Sequence, residues 1–433
     1  MLSRPIYNEV PHRPESQVRS IASIFRGPPL PARGRDAKHL PTGDRDSHTE
    51  KNPVQLAQKQ WTAATGWTVT DPAADPLPSA QLVIFFGARD ALTDRAIPDA
   101  LRSMYPDAFL LGCSTAGEIC GTAVRDDSVV STAIRFDYTV VRAAYRPLAD
   151  ASKSKAVGEQ LARDLTAEDL LHVFVLAEGL KVNGSELVKA LRDGLPSNVA
   201  VTGGLAADGA RFEHTVVCLD EQMIDGAVAA VGFYGDRLWI GYGSLGGWDP
   251  FGPDRLVTRS EGNVLYELDG SSALELYKTY LGSHAANLPA SGLLFPLSLR
   301  GGNGEQRVVR TILGIDEQAG SLIFAGDIPQ GGYAQLMKAN VDRLIDGAHG
   351  AATACYEAVG SHTPDLAILI SCVGRKLVLN QRTEEEVESV REVLGESTVL
   401  SGFYSYGEIA PFMSSTKCEL HNQTMTITTF SER

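Results

Sequence analysis

The sequence lacks a long hydrophobic run, a leader-like start and a Cys-x-x-Cys pair. Its longest apolar runs are about eight residues, whereas a membrane-spanning helix needs roughly 20. The first residues carry Arg, Pro and Glu without the apolar region of a signal peptide. Only 6 of the 433 residues are cysteine, and without zinc-type spacing they predict reduced, buried thiols. We therefore expect a cytoplasmic protein without a membrane segment.

Positive charge is scarce as well. The chain has 39 Lys and Arg against 53 Asp and Glu, which gives a formal net charge of −14. A field of that sign repels phosphate backbones and anionic lipids, so neither nucleic acid nor a membrane is an expected partner. Hydrophobic residues make up 43% of the chain, enough for a sizeable core and too much for a mostly disordered protein.

The first 55 residues differ from the rest of the chain. Eight of the 22 prolines fall before residue 54, and no periodic apolar pattern accompanies them. This composition predicts a disordered arm over residues 1–55. In the remainder we expect two halves, 56–246 and 247–433, that meet at a glycine pair.

A strand–helix–strand pattern occurs three times after the arm. Short, fully apolar runs predict buried strands in each copy, at 82–86 and 108–111, at 172–176 and 199–201, and at 366–370 and 398–400. Amphipathic stretches between them predict helices. Strands that are apolar on both faces fit a sheet with both faces covered. The sequence therefore predicts an α/β fold of repeated strand–helix–strand units with glycine-rich loops and β-rich insertions, its two halves sharing a cleft.

Several local features can be predicted in more detail. Asn183 and Ser272, each followed three residues later by Glu, predict helix N-caps, and Thr383 with Glu386 predicts a capping box. Residues 129–136 and 138–145 are predicted to form a pair of adjacent strands. The stretch 333–358 is predicted to be one long helix.

Each of the three units ends in a glycine-rich loop, at 112–119, 203–209 and 401–409. Two of them have the glycine spacing of a phosphate loop, but Glu118 and Glu408 occupy the position of its lysine. A carboxylate there repels phosphate and favours an ammonium group. The loops therefore predict an amino-acid-like ligand, its carboxylate on backbone N–H groups and its ammonium on an acidic side chain.

The alternative to a ligand site is a purely structural role for these loops, since glycines serve tight turns and acids cap neighbouring amides.

Tyr404 and Tyr406 are predicted to form aromatic walls of the ligand site. The full set of predicted ligand-binding residues is Gly112, Cys113, Ser114, Thr115, Glu118, Gly203, Gly204, Asp208, Tyr404, Ser405, Tyr406 and Glu408.

Cysteine and histidine residues indicate two alternative chemistries. Cys113 precedes a turn and would be the nucleophile of a thiol-dependent enzyme if a histidine approached it in space. We assign no catalytic residue and do not expect an enzyme. His214 and His284 are the candidate axial ligands if haem binds, and the absence of Cys-x-x-Cys-His excludes covalent haem attachment. No other cofactor is expected.

Taken in order, three motifs resemble those of the FIST family over roughly residues 80–415. They are Gly112-Cys-Ser-Thr-Ala-Gly-Glu-Ile119, Gly203-Gly-Leu-Ala-Ala-Asp-Gly209 and Ser401-Gly-Phe-Tyr-Ser-Tyr-Gly-Glu-Ile-Ala-Pro411. The resemblance implies an N-terminal and a C-terminal FIST segment that form a sensory module for a small ligand, with amino acids as the ligand class proposed for the family. Signalling would pass to a separate protein such as a histidine kinase. A subset of the family are haem proteins that sense nitric oxide and regulate such a kinase, which is the alternative function.

Overall fold

The computed structural model describes residues 53–71, 76–93, 95–220, 222–301, 307–411 and 417–433. The arm predicted at 1–55 lies outside the described residues except for 53–55, and Val54 and Gln55 already belong to the first strand. Three repeats of one strand arrangement follow. The first repeat consists of β1 (Val54–Thr62), β2 (Gly66–Val69), β3 (Leu82–Ala88), α1 (Arg89–Thr93), α2 (Ala96–Met104), β4 (Phe109–Thr115), β5 (Glu118–Cys120), β6 (Ala123–Arg125) and β7 (Ser128–Phe136).

The second repeat has the same order, with a helix in place of β2. It consists of β8 (Val140–Pro147), α3 (Ser154–Leu165), β9 (Leu170–Ala177), α4 (Gly184–Gly194), β10 (Ala200–Leu205), β11 (Val217–Leu219), β12 (Gln222–Ile224) and β13 (Ala227–Tyr234).

The third repeat begins with β14 (Leu238–Leu245) and is interrupted by a β-rich insertion. The insertion contains β15 (Trp248–Glu261), β16 (Val264–Leu268), β17 (Ser271–Ser272), α5 (Ala273–Leu281), β18 (Leu297–Arg300), β19 (Val308–Arg310), β20 (Ile312–Asp316), β21 (Ser321–Phe324) and β22 (Tyr333–Ala339). The repeat then resumes with α6 (Val341–Ala358), β23 (Leu366–Cys372), α7 (Val373–Leu379), α8 (Thr383–Leu394), β24 (Val399–Ser405), β25 (Gly407–Pro411), β26 (Cys418–His421) and β27 (Met425–Glu432). The boundary predicted at 246/247 falls between β14 and β15 and stays a prediction.

Each repeat forms a sheet around one parallel strand pair. The pairs are β3 with β4, β9 with β10, and β23 with β24, and in each sheet an antiparallel strand, β7, β13 or β27, lies on the other side of the first strand. The insertion forms a separate antiparallel sheet in the order β19-β18-β22-β15-β16-β21-β20, with β17 on β16. The predicted α/β class with β-rich insertions is confirmed.

The three sheets exchange hairpins in a closed cycle. Hairpin β5–β6 of the first repeat extends the sheet of the third, β11–β12 of the second extends that of the first, and β25–β26 of the third extends that of the second. Each hairpin follows directly after the second parallel strand of its own repeat. The exchange therefore brings the three strand-end loops towards one another.

Alternation along the parallel strands divides their side chains between two layers. Leu82, Ile84 and Phe86 face a core shared by the three sheets, whereas Val83 and Phe85 pack against the helical layer of the first repeat. The shared core joins repeats directly: the ring centroid of Phe86 lies 4.6 Å from that of Phe403 in a stacked pair. Both faces of these strands are consequently covered, which explains their fully apolar sequence.

Two predicted N-caps are confirmed. The side-chain oxygen of Asn183 accepts the N–H of Glu186 at 3.2 Å, and that of Ser272 accepts the N–H of Glu275 at 3.3 Å. The capping box at Thr383 is wrong, because Thr383 is already the first helical residue and the carboxylate of Glu386 pairs with Arg375 at 2.7 Å. A buried ion pair has taken the side chain that a capping box needs.

Two other local predictions are also wrong. The strands predicted to pair, now β7 and β8, lie in different sheets: β7 pairs with β1 and β3, and β8 pairs with β13. The long helix predicted over 333–358 begins only at Val341, because the alternating run before it forms β22 between β15 and β18. In both cases pairing between distant segments outweighs the local pattern.

Candidate functional site

The carboxyl ends of the parallel strands open towards two adjoining cavities of about 210 and 350 Å³. Ligands bind at this end of open α/β sheets. We call the two cavities together the central cleft, and all three repeats contribute to its lining. The lining residues are Ala88, Arg89, Thr115, Ala116, Gly117, Glu118, Asp126, Asp127, Asp208, Gly209, Ala210, Arg211, Val373, Lys376, Leu377, Asn380 and Thr383.

The turn between β4 and β5 is organised by the buried carboxylate of Glu118. The Thr115 hydroxyl donates to one of its oxygens at 2.5 Å. Ser128 donates to the other through its N–H at 3.2 Å and its hydroxyl at 2.7 Å. Glu118 is only 1% exposed, and this burial raises its pKa to about 7. The carboxyl group therefore holds the turn closed.

Lys376 reaches across the cleft from α7 to the same turn. Its Nζ donates to the carbonyl of Ala116 at 2.8 Å and forms an ion pair with Asp126. A Cβ atom at Gly117 would lie 2.3 Å from this Nζ, and the positive φ of 133° at this position also favours glycine. The ring of Tyr404 lies beneath the same ammonium at 5.5 Å. One cation thus connects the third repeat to the first.

Asp208 organises the second cleft loop. One carboxylate oxygen accepts the N–H of Phe212, and the other accepts those of Glu213 and His214, all at 3.0 Å. The hydroxyl of Tyr406 also donates to the carboxylate, and the Tyr406 ring stacks on Phe212 at 4.6 Å between centroids. The carboxylate is fully buried, and these hydrogen bonds hold the loop in place.

Two arginines complete the charged lining. Arg89, at the end of β3, lies 3.6 Å from Asp208 and 3.4 Å from Glu213. Arg211 pairs with Asp90 at 2.9 Å. Both charge signs therefore occur in the lining of the cleft.

A buried ion pair lies behind α7. Arg375 and Glu386 are both inaccessible to solvent and pair at 2.7 Å. The hydroxyls of Ser371 and Tyr404 donate to the second oxygen of Glu386 at 3.0 and 2.7 Å, and Arg375 also donates to the carbonyl of Leu344. This network positions the start of α7 and, with it, the neighbouring Lys376.

Comparison with protein families decides the identity of the chain. A model described as the FIST N domain matches residues 81–271, and one described as the FIST C domain matches residues 273–411. The chain belongs to the FIST family. FIST domains are sensory domains that bind small ligands and signal to partners, and the predicted family is confirmed.

Two individual proteins resemble this FIST protein. An uncharacterized protein of Methanocaldococcus jannaschii is 24% identical over 370 residues, which cover 76% of this chain and 70% of the relative. A crystal structure of a cyanuric acid hydrolase from A. caulinodans aligns with a TM-score of 0.36 and 8% identity, covering 88% of this chain and 100% of that one. Among the described residues, no helix of the FIST protein is long and apolar enough to cross a membrane.

The structure separates the predicted ligand-binding residues into two groups. Thr115, Glu118 and Asp208 line the central cleft. The others are buried in strands or behind the cleft: Gly112, Cys113, Ser114, Gly203, Gly204, Tyr404, Ser405, Tyr406 and Glu408.

Two of the predicted glycines have a structural reason. A Cβ at Gly203 would lie 1.8 Å from the carbonyl oxygen of Val175, and one at Gly112 would lie 2.6 Å from both the ring and the carbonyl of Phe85. The alternative stated for these glycines, close packing of the backbone, therefore accounts for both positions.

Glu408 is the counterpart of Glu118 in the third repeat. Its carboxyl oxygens accept the hydroxyl of Ser405 at 2.6 Å, and the N–H and hydroxyl of Thr424 at 3.1 and 2.9 Å. Complete burial raises its pKa to about 8. The two turns thus share one hydrogen-bond pattern, but only that of Glu118 faces the central cleft.

The two tyrosines do not form walls of the cleft, contrary to the prediction. The hydroxyl of Tyr404 donates to Glu386 at 2.7 Å, and that of Tyr406 donates to Asp208. Both side chains are buried, and their polar tips are used to hold the acids that position α7 and the second cleft loop.

The environment of Cys113 does not suit a nucleophile. The thiol is fully buried in β4, and burial raises its pKa well above the ordinary value, with Cys218 adding to the effect. Reactive cysteines have depressed pKa values and are accessible. The residues around Cys113 therefore provide no basis for a thiol-dependent reaction.

The two histidines predicted as haem ligands do not lie at the central cleft. His214 and His284 are exposed, and neither lines the central cleft. His172 and His421 are buried, but hydrogen bonds to Thr202 and to the Ala410 carbonyl occupy a ring nitrogen of each. In the part of the chain that the structure describes, no group of three or more metal-ligating side chains occurs.

Sequence reasoning missed Arg89, Arg211, Asp126, Lys376 and Asn380. A usable signal existed for two of them. Arg89 and Lys376 follow the first parallel strand of their repeats, and the rule that ligands collect at strand ends applies to these strands too. Asp126 carries no comparable signal, because only the exchange of hairpins brings it to the cleft.

Proposed function

We propose that the central cleft of this FIST protein binds an amino-acid-like zwitterion and that the chain reports its occupancy to a separate signalling protein. The observation that supports the ligand class is the presence of both charge signs on one cavity wall. Arg89 and Lys376 would bind a ligand carboxylate and Asp126 and Asp127 its ammonium, in exchange for the ion pair that Lys376 and Asp126 form with each other. Two cavities of about 210 and 350 Å³ together fall within the size range of small-ligand sites.

The ligand contacts in this proposal differ from those expected from sequence. The N–H of Ala116 donates to the Tyr404 carbonyl at 2.8 Å, so it is not available to a carboxylate. Glu118 and Asp208 are likewise occupied by the hydrogen bonds of their loops. Side chains at the strand ends must therefore bind the ligand, while the predicted acids hold the loops in place.

Signalling needs a structural element that differs between the free and bound states. Lys376 is that element in our proposal, since it already joins α7 to the Ala116 carbonyl and to Asp126. A carboxylate that binds Lys376 would compete with Asp126 and change the connection between the first and third repeats.

The first test is calorimetric titration of the protein with a panel of amino acids. Asp126 is mostly exposed, so Asp126→Asn should leave folding intact and weaken the best ligand about tenfold. Lys376→Gln should have a similar or larger effect. The matched control is Asp236→Asn, an exposed acid outside the cleft. Failure of every amino acid to bind, or unchanged affinity in both cleft variants, would overturn the proposal.

The partner that the family resemblance implies is a histidine kinase. Its autophosphorylation should change when the FIST protein is added and change again when the cleft ligand is supplied. A kinase that does not respond to the ligand, measured with a protein shown to bind it, would contradict this part of the proposal.

A further inference from the structure

A second cavity lies away from the central cleft and shares no lining residue with it. It has a volume of about 560 Å³ and is enclosed by α4, the hairpin β18–β19 and β26. Four cations line it: Lys189, Arg192, Arg310 and Lys417. The wall combines residues of the FIST N domain on α4 with residues that come later in the chain.

Arg310 is the feature of this cavity that needs an explanation. Its side chain is 6% exposed, and its guanidinium donates to the carbonyl of Leu420 at 2.8 Å and to the hydroxyl of Ser185 at 3.3 Å. The Nε–H has no hydrogen-bond partner, and no carboxylate of the described residues lies within 4.0 Å of the guanidinium. Burial lowers its pKa to about 10, which still leaves it charged at neutral pH. Asp327 and Glu419 contribute some favourable Coulomb interaction, but neither forms an ion pair with the guanidinium, and a buried charge without a direct partner is costly.

The rim adds positive charge that is also unpaired. Lys189 and Lys417 are exposed and make no ion pair with any described residue. Arg192 is partly engaged, since it pairs with Asp193 at 3.0 Å. Two carboxylates, Asp327 and Glu419, also line the cavity, and Asp327 already accepts the side-chain amide of Asn183 at 2.7 Å.

We propose that this cavity, the anion pocket, binds a small organic anion, either a polycarboxylate or a phosphate ester. Its anionic oxygens would bind Arg310, because the planar guanidinium matches the geometry of carboxylates and phosphates and its Nε–H is free. Lys189 and Lys417 would bind oxygens nearer the rim. The apolar walls formed by Val188, Leu299 and Val308 would contact the carbon skeleton. The site would give the sensor a second input, independent of the central cleft.

The test uses the full chain and two probes, citrate and glucose 6-phosphate, with potassium chloride of equal ionic strength as the blank. Binding is measured by calorimetry and by the shift in melting temperature. Lys189→Gln combined with Lys417→Gln should weaken the bound probe about tenfold, because each exposed cation contributes a few-fold. The matched control, Lys338→Gln, removes an exposed lysine elsewhere and should leave binding unchanged.

Arg310→Lys tests the centre of the anion pocket, since it keeps the charge and removes the fork. In a folded variant we expect a loss of at least tenfold. If Arg310→Lys does not fold, the double variant Lys189→Gln with Lys417→Gln decides the test.

Binding of citrate alone assigns the site to polycarboxylates, and binding of glucose 6-phosphate alone assigns it to phosphate esters. The proposal is overturned if neither probe binds at about 10 mM, or if the double lysine variant binds as well as Lys338→Gln. Asp126→Asn, the variant of the central cleft, should not affect either probe, which separates this result from the proposed function.

Discussion

Replacing Glu408 by glutamine should change how the stability of the protein depends on pH. Burial raises the pKa of this carboxyl from 4.5 to about 8, so the folded chain holds the proton more tightly than the unfolded chain does. The proton on Glu408 therefore stabilises the folded state, and this stabilisation is fully present below pH 4.5 and is lost as the pH rises through 8. The difference between the two pKa values corresponds to about 5 kcal/mol in the limit of high pH.

The glutamine side chain removes this titration while keeping a similar shape. Its carbonyl oxygen can accept the N–H of Thr424, and its amide can donate to the hydroxyl of Ser405. We therefore expect Glu408→Gln to match the wild type near pH 5 and to become more stable than it by a few kcal/mol at pH 9. The wild-type carboxyl of Glu118 has a pKa of about 7, so the same reasoning predicts that Glu118→Gln is more stable than the wild type by about 3 kcal/mol at high pH. This full difference is reached at a pH about one unit lower than for Glu408→Gln.

The measurement is urea unfolding at intervals from pH 5 to pH 9, followed by tryptophan fluorescence, with the midpoint and the slope compared separately. Glu388→Gln, an exposed position on α8, controls for the loss of one negative charge. A stability difference between Glu408→Gln and the wild type that does not change with pH would refute the reasoning. So would a difference that favours the wild type increasingly at high pH.

Two further variants test the elements that position the cleft. Arg375→Met should destabilise the protein by about 3–5 kcal/mol in urea unfolding, because it leaves the Glu386 carboxylate buried without its partner; a loss below about 1 kcal/mol would show that the pair is not buried. Gly402→Ala should prevent or strongly impair folding, because its Cβ would lie 1.9 Å from the Leu369 carbonyl, whereas Gly246→Ala, with its nearest neighbour at 3.6 Å, should be tolerated. Equal circular dichroism melting temperatures for these two alanine variants would contradict that assignment.

The two matched turns show how one local motif can have two roles. In both, a hydroxyl three residues before the glutamate and a second Ser or Thr side chain bind the carboxyl group. Only the turn of Glu118 lies beside a lysine from another repeat and faces a cavity. The motif therefore indicates a closed turn, and its position in the fold decides whether a ligand reaches it.

The sequence by itself determined the features that depend on neighbouring residues. The fully apolar strands and the N-caps at Asn183 and Ser272 follow from local patterns, because burial on both faces and capping act over a few residues. The glycine loops predicted at 112–119, 203–209 and 401–409 are mostly strand residues in the structure, with only short turns between the strands. The family resemblance also rests on such short motifs.

Only the tertiary structure decided which side chains meet at the central cleft. Lys376 and Ala116 are 260 positions apart, and their contact depends on the cyclic exchange of hairpins between sheets. Glu118 and Glu408 lie in the strands β5 and β25 and Asp208 follows β10, and the roles of Glu118 and Asp208 depend on Ser128 and on the N–H groups of residues 212–214. Pairing between distant strands is set by the packing of the whole core, so no local pattern specifies it.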